Sequence, residues 1–274
     1  LGRIAYTNFG YERPVISGGR QIVGWTAAGG GIFKAPAGAL RFRQLYVNGA
    51  RTIRARTPND GAYRHLAAFD YGTRRILINS ADSGNWANLA SADNKPEMIL
   101  FREWVHHTLR VQSFSSLGTQ SQVNVLEPEN TLTWNRTPQI TWGDIGGFYW
   151  ENAMEFLDSP GEWFLNAATN EVFYMPRAGE DMAAAVIMVP NNQPEIETVL
   201  RVQGDAAGTA KNIQFFGLTF ECSTWMVPSR QGVVNGQADE IKGSPSRIPA
   251  GIHVQKASNI KFERNVIRNM GGIG

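Results

Sequence analysis

Several features that would identify a protein class are scarce or missing in this 274-residue sequence. It has a single cysteine, Cys222, which excludes an internal disulfide framework and a cysteine-rich zinc site. Charged residues make up only 18% of the chain and the formal net charge is +2, which gives no argument for nucleic acid as a partner. No apolar run approaches the ~20 residues that a membrane helix needs, so no membrane span is predicted.

Glycine and asparagine, in contrast, are abundant. Glycine accounts for 29 residues, and asparagine is also frequent. Both residue types tolerate positive φ angles, so their abundance indicates many turns. Hydrophobic residues make up 42% of the chain, which is enough to form a core and argues against disorder. Many turns in a weakly charged chain favour short strands, so the composition predicts an all-β fold and nearly excludes a helical one.

Two hairpins and one short helix are predicted in the first two thirds of the chain. Strand-like runs flank Asn48-Gly49 within Arg41–Arg56, and Asn-Gly is a strong hairpin signal because a type I′ turn needs positive φ twice. Glu162–Tyr174 predicts a second hairpin. Asn152–Leu157 has apolar residues at helical spacing and ends before a Ser-Pro-Gly turn, so it predicts a short helix.

The sequence becomes repetitive after about Val199. Residues 210–220 (AKNIQFFGLTF) and 257–267 (ASNIKFERNVI) share the pattern A-x-N-I-x-F at an offset of 47. Repeat periods of about 20 to 50 residues indicate solenoids. Because these units consist of strand-like runs and Asn or Gly turns, they predict a parallel β-helix.

A series of sequence blocks, taken in order, resembles one protein family. The blocks are PVISGG and GW in 14–25, FRQLYVNGARTIRAR at 42–56, WENAMEFLDSPGEWFLN at 150–166, then VFYMPRAGED, NIQFFGLTF and PAGIHVQKASNIKFERNVIRNMGGIG. The series resembles secreted bacterial right-handed parallel β-helix proteins related to glycoside hydrolases. The most similar enzymes are α-L-fucosidase- or xylanase-like and β-xylosidase-like β-helix hydrolases. The resemblance covers nearly the whole chain.

This resemblance implies an all-β architecture in which a β-sandwich-like domain is inserted into the opening coils of a right-handed parallel β-helix. Residues 1–19 would end an N-terminal coil, residues 20–180 would form the inserted domain, and residues 195–274 would form incomplete returning coils. We therefore expect a fragment of a longer bacterial protein that is secreted, periplasmic or on the cell surface.

The same resemblance implies a glycoside hydrolase that acts on a polysaccharide or oligosaccharide with two carboxylates. Its catalytic coils would lie beyond residue 274, so the segment alone would be inactive. The alternative is a non-catalytic glycan-binding or cell-surface module, because a fold alone does not determine function. A polysaccharide lyase is less favoured, because residues 199–274 contain no dense acidic cluster for Ca²⁺.

Candidate site residues within the chain are few. Glycoside hydrolysis uses two carboxylates on opposite sides of the scissile bond, and the candidates are Glu221, Asp239 and Glu240. Trp225 follows a predicted coil strand, and its flat ring suits the apolar face of a sugar, although it could equally close the flank of the coil. His253 should point away from the core of its strand, as a substrate-binding residue or a surface histidine.

Metal and cofactor binding are not predicted. His106 and His107 are adjacent in a predicted strand, so their side chains face opposite sides and cannot bind one ion. Arginines are concentrated in residues 41–75, where they favour the polar face of a sheet over an anionic partner such as a uronic-acid polysaccharide or nucleic acid. These arginines are Arg41, Arg43, Arg51, Arg54, Arg56, Arg64, Arg74 and Arg75.

Overall fold

The structure is a computed structural model that describes residues 2–102, 105–135, 147–235 and 248–274. Strands predominate among these residues and the helices are short, which confirms the predicted all-β fold. Within the described ranges, no helix combines the length and the apolar composition that crossing a bilayer requires.

The strands and helices follow one another in chain order. The strands are Ile4–Thr7 (β1), Val15–Ser17 (β2), Gly19–Gln21 (β3), Thr26–Gly29 (β4), Ile32–Pro36 (β5), Tyr46–Val47 (β6), Ala50–Arg51 (β7), Ile53–Arg54 (β8), Arg56–Thr57 (β9), Arg64–His65 (β10), Ala68–Asp70 (β11), Arg75–Asn79 (β12), Glu97–Arg102 (β13), Val105–Leu117 (β14), Gln120–Val125 (β15), Gly147–Glu151 (β16), Glu162–Asn166 (β17), Glu171–Tyr174 (β18), Ile187–Pro190 (β19), Leu200–Gln203 (β20), Ala210–Phe216 (β21), Thr219–Glu221 (β22), Ile252–Gln255 (β23), Ala257–Glu263 (β24) and Val266–Arg268 (β25). The α-helices are Glu129–Trp134 (α1) and Val227–Gln231 (α2), and 3₁₀ turns lie at Ser80–Asp82, Ala87–Ala90 and Met154–Phe156.

The first and last parts of the chain pair with each other as parallel strands. The order is β1-β21-β24 in one sheet and β2-β22-β25 in a second, and β20 pairs with β23. Ile213 lies opposite Ile260 and Phe215 opposite Phe262, so the strands pair at the offset seen in the sequence. The repeat therefore corresponds to stacked parallel strands.

Equivalent side chains stack on one another in these sheets. The rings of Tyr6 and Phe215 are 5.3 Å apart and inclined by 9°, and those of Phe215 and Phe262 are 5.0 Å apart and inclined by 18°. Asn212 and Asn259 both have left-handed φ angles, of 60° and 54°. The amide nitrogen of Asn259 donates to the side-chain oxygen of Asn212 at 2.7 Å. Asparagine tolerates this conformation, so the repeated Asn places the same bend in both strands.

The middle of the chain forms three stacked sheets. An eight-stranded antiparallel sheet has the order β10-β16-β13-β14-β15-β12-β11, with β9 also paired to β16. A five-stranded sheet (β4-β5-β18-β17-β8) and a four-stranded sheet (β3-β19-β6-β7) complete the region. Phe164 packs in the core shared with the eight-stranded sheet, whereas Trp163 and Val172 pack against the four-stranded sheet. Because side chains alternate along a strand, the five-stranded sheet is covered on both faces.

Both predicted hairpins are confirmed, and the predicted helix is shorter than expected and of the 3₁₀ type. Asn48 and Gly49 have φ angles of 50° and 81° and connect β6 to β7, as a type I′ turn requires. The second hairpin is β17 and β18. In the segment predicted to be helical, only the 3₁₀ turn Met154–Phe156 forms. Asn152 precedes it with a φ of 69°, and its amide group donates to the backbone of Lys95, which stops an α-helix from forming there.

The middle region, which extends from β3 to β19, begins and ends at the same place beside the parallel strands. Gly19 pairs with Pro190 and Arg20 with Val189, in the antiparallel pair β3 and β19. The backbone nitrogen of Gly18 donates to the carbonyl of Glu221 at 2.9 Å, which ties this point to the parallel strands. The two ends of the middle region are therefore neighbours.

The segment that follows β22 packs back onto the middle region. Arg43 donates to the hydroxyl of Ser229 at 2.7 Å, and Nη1 of Arg110 donates to the carbonyl of Arg230. Thr108 pairs with Val233 as an antiparallel bridge. Val234 is fully buried in the core of the eight-stranded sheet. These contacts fix α2 relative to the middle region.

Glu162 in the Pro-Gly-Glu-Trp turn gives a first testable prediction. It is 1% exposed, and burial raises its pKa to about 7, although backbone N–H groups of Asp158, Arg56 and Ser159 oppose this shift. Between about pH 4.5 and 7 the folded protein holds a proton that the unfolded chain releases. We therefore expect the free energy of unfolding to fall as the pH rises through this interval, by up to about 3 kcal/mol.

The measurement is urea unfolding of the wild type and of Glu162→Gln between pH 4 and 8. The glutamine cannot titrate, so the stability difference between the two proteins should change across the interval. Parallel pH curves for the two proteins would contradict the prediction.

Candidate functional site

A polar groove lies where the chain segment after β19 meets β20 and α2. Its volume is about 470 Å³, within the size range of small-molecule sites. The residues that line it come from these three parts of the chain and are Glu195, Ile196, Glu197, Thr198, Arg201 and Arg230.

Residues 195–198, here called the acidic segment, are fixed to the parallel-strand region by hydrogen bonds. The carbonyl of Ile196 accepts from the backbone nitrogen of Thr224 at 2.7 Å. The hydroxyl of Thr198 donates to the carbonyl of Ala250 at 3.0 Å. The segment is thus attached on both sides of Glu197.

Glu195 and Arg230 form an ion pair at the groove, with side chains 25% and 57% exposed. Oε2 of Glu195 accepts from Nη2 of Arg230. The other carboxylate oxygen, Oε1, is buried and has no hydrogen-bond partner among the described residues. Because Oε1 is buried, a ligand in the groove would meet the exposed part of the Glu195 side chain and not this atom.

The ionisation of Glu197 is affected by its burial and by its charged neighbours. Burial raises the pKa of Glu197 and the nearby Glu195 raises it further, while Arg230 opposes the shift. A protonated carboxyl group donates a hydrogen bond, whereas an ionised one only accepts. Glu197 therefore becomes protonated at a higher pH than an ordinary glutamate does.

Arg201 lies on β20 and, like Arg230, is an exposed cation of the groove. His253 lies beside it in the parallel pairing with β23. His253 is partly buried, and its Nδ1 atom is buried without a hydrogen-bond partner within the described ranges. His253 does not line the groove, but it lies next to Arg201 on the neighbouring strand β23.

The structure places the other predicted site residues apart from this groove. Glu221 is buried at the end of β22, and its Oε2 accepts from Nε and Nη2 of Arg268 at 2.8 and 2.7 Å. The pair joins neighbouring parallel strands, and a catalytic role for Glu221 stays a prediction. Trp225 is partly buried just before α2 and does not line the groove. Asp239 and Glu240 lie outside the described residues.

The arginines of residues 41–75 occupy internal positions more often than the sequence indicated. Arg43 and Arg54 both pair with Glu97, at 2.5 and 2.9 Å, and these three side chains are at most 10% exposed. The guanidinium of Arg56 stacks 3.5 Å from the ring centre of Tyr149. These three arginines therefore make internal contacts, whereas Arg51, Arg74 and Arg75 are exposed.

No group of three or more potential metal ligands comes together within the described ranges. His107 accepts a hydrogen bond from the backbone nitrogen of Asn235 through Nδ1, and His106 accepts one at its carbonyl from the Asn235 side chain. Both histidines thus have a structural contact with the segment after α2.

Sequence reasoning missed the four charged residues of the groove, Glu195, Glu197, Arg201 and Arg230. One signal was available, because two glutamates are spaced by two residues directly after Pro194 in a chain with few charges. The two arginines come from β20 and α2, and nothing in the local sequence links these three segments.

Comparisons with known proteins agree on a broad relationship. Residues 32–177, more than half of the chain, match the family described as the GH141 insertion domain. A solved structure titled "Glycoside hydrolase" superposes with a TM-score of 0.80 at 27% sequence identity, over 96% of this chain and 49% of that chain. The chain thus spans about half the length of that structure. A search of curated proteins gave no match. The chain is related to glycoside hydrolases, and it belongs to the family defined by the GH141 insertion domain.

Proposed function

We propose that this chain is part of a carbohydrate-active glycoside hydrolase. The observation that carries the proposal is the match to a glycoside hydrolase structure along 96% of the chain. The match includes the parallel strands as well as the inserted region, so it extends beyond the family match at 32–177. The substrate would be a polysaccharide or an oligosaccharide.

The parallel strands would be coils of a right-handed parallel β-helix, interrupted by the inserted domain at residues 20–180. The pairing at the repeat offset and the stack of Tyr6, Phe215 and Phe262 support this proposal, because equivalent residues of successive coils stack in a solenoid. Residues 1–19 and 195–274 would supply the coils.

Both outer faces of the parallel strands leave apolar side chains uncovered. On the β1 side Ile4 is 55% exposed and Tyr6 53%, and on the opposite side Ile267 is 45% exposed and Phe262 37%. The equivalent Phe215 between them is only 4% exposed. Further coils that pack on these faces would bury the same side chains, as solenoids do. Such coils are where we expect the catalytic carboxylates.

The chemistry would require two carboxyl groups facing each other across a cleft. One protonates the glycosidic oxygen, and the other acts as a nucleophile at a separation of about 5 Å or as a base for water at about 6.5–9.5 Å. Because Glu221 is paired with Arg268, we propose that the pair comes from coils stacked after β25.

The proposal is tested on the protein as its source organism makes it, which we propose is a secreted, periplasmic or cell-surface protein of a bacterium. Intact mass gives the chain length, and product analysis on a panel of plant, algal and microbial polysaccharides gives the activity. We expect a mass well above 30.2 kDa and release of sugars. Replacing single carboxylates along the face of the β-helix should lower kcat by at least about 10²-fold at two positions.

Two outcomes would contradict the proposal. Activity that survives removal of every carboxylate along that face would exclude the two-carboxylate mechanism. Glycan binding without any hydrolysis would identify the protein as a non-catalytic glycan-binding module.

A further inference from the structure

We propose that the groove between the acidic segment, β20 and α2 is a binding subsite for an uncharged sugar residue. This inference rests on the proposed carbohydrate function and assigns to it a specific site, with Glu195, Glu197, Arg201 and Arg230 as ligands of the sugar hydroxyl groups.

The charges of the groove favour a neutral ligand. Two glutamates and two arginines line it, so their formal charges cancel. The ion pair of Glu195 and Arg230 also compensates one charge of each sign locally. A uronate would bring a negative charge next to two carboxyl groups and would need a net positive site instead. A neutral sugar meets no such repulsion.

The hydrogen-bonding groups of the groove match sugar hydroxyls. A hydroxyl both donates and accepts, so it can donate to a carboxylate and accept from a guanidinium. The Glu195 side chain is a partly exposed acceptor, and Arg201 and Arg230 are exposed donors. Two adjacent hydroxyl groups of one sugar ring could therefore be bound together by these side chains.

The groove is also fixed before any ligand binds. Arg110 holds the carbonyl of Arg230, and Thr224 holds the carbonyl of Ile196. Preorganised polar groups bind a ligand with a smaller loss of conformational entropy. Arg201 is paired with His253 on the neighbouring strand, so a second sugar unit could lie over β23.

The experiment measures sugar binding to the 274-residue chain by saturation-transfer NMR, with D-xylose, L-fucose and D-galactose as neutral probes and D-glucuronate as the charged probe. We expect at least one neutral sugar to bind with a Kd of about 1–10 mM. Arg201→Ala and Glu197→Ala should each weaken this binding about tenfold, since each removes a charge-assisted hydrogen bond. Arg201 is exposed, so its replacement should leave folding intact.

Glu263→Gln is the matched control, because Glu263 is an ion-paired glutamate on β24 that lies away from the groove. It should bind like the wild type. The proposal is overturned if no neutral sugar binds, if D-glucuronate binds more tightly than all of them, or if Arg201→Ala and Glu197→Ala bind normally. Binding is measured without turnover, so a failure to hydrolyse glycans would leave this result unaffected. Conversely, if the protein hydrolyses glycans but the groove variants bind sugars normally, the subsite proposal is wrong and the proposed function stands.

Discussion

Replacing Arg110 with alanine is expected to lower the free energy of unfolding by about 3–5 kcal/mol, because it removes the cation from a buried ion pair. Arg110 donates from Nε and Nη2 to the two carboxylate oxygens of Glu129, at 2.8 and 2.9 Å. Glu129 is 0% exposed, so its charge has no access to water. Without the Arg110 side chain, the carboxylate would keep one donor among the described residues, the backbone nitrogen of residue 110 at 3.0 Å.

Urea unfolding at pH 7 measures this effect. The double variant Arg110→Met with Glu129→Leu should recover most of the lost stability, since apolar residues of similar volume often replace a buried ion pair without loss. Lys34→Ala is the control, because Lys34 pairs with Glu171 at the surface and should contribute about 1 kcal/mol or less. A loss below about 1 kcal/mol for Arg110→Ala would contradict the prediction.

The same variant has a consequence for the groove. Arg110 also donates to the carbonyl of Arg230, whose side chain reaches Glu195. We therefore expect the folded fraction of Arg110→Ala to bind neutral sugars more weakly than the wild type does.

The second large effect is expected for Trp163→Ala, which should lower the free energy of unfolding by about 3–5 kcal/mol. Trp163 is fully buried between the five-stranded and four-stranded sheets, and its ring lies 5.2 Å from that of Phe42. Truncation to alanine would leave a cavity at the centre of this layer. Thermal and urea unfolding both report the change.

Trp163→Phe separates volume from polarity. The indole nitrogen of Trp163 is buried without a hydrogen-bond partner among the described residues, so phenylalanine removes an unsatisfied group as well as some volume. We expect it to retain most of the stability. Equal losses for alanine and phenylalanine would show that the cavity is not the cause.

Features set by neighbouring residues could be predicted from the sequence. The turn at Asn48-Gly49 depends only on the positive φ angles that these residues tolerate. The parallel pairing at the repeat offset follows because similar residues stack best on their own equivalents, as Phe262 does on Phe215. Local chemistry and repetition therefore gave the all-β fold.

Features that combine distant segments could not be predicted. The pattern at 152–157 suggests a helix, but contacts with Asn94 and Lys95 hold Asn152 in a left-handed conformation. Arg43 and Arg54 pair with Glu97, which lies far along the chain. The groove likewise combines the acidic segment, β20 and α2. These come together because α2 packs on β14.

The neighbouring positions of Gly19 and Pro190 bear on how such a protein could have evolved. A long excursion that begins and ends on adjacent paired strands can be gained, shortened or exchanged between genes while the strands around it keep their positions. Lengthening it adds little to the entropy of closing the chain. The segment after β22 limits this freedom, because Arg43 and Arg110 of the excursion bind Ser229 and Arg230 outside it. A domain inserted at this point in another protein would have to carry equivalents of these two arginines. Otherwise, the receiving protein would need a different α2 segment to pack against it.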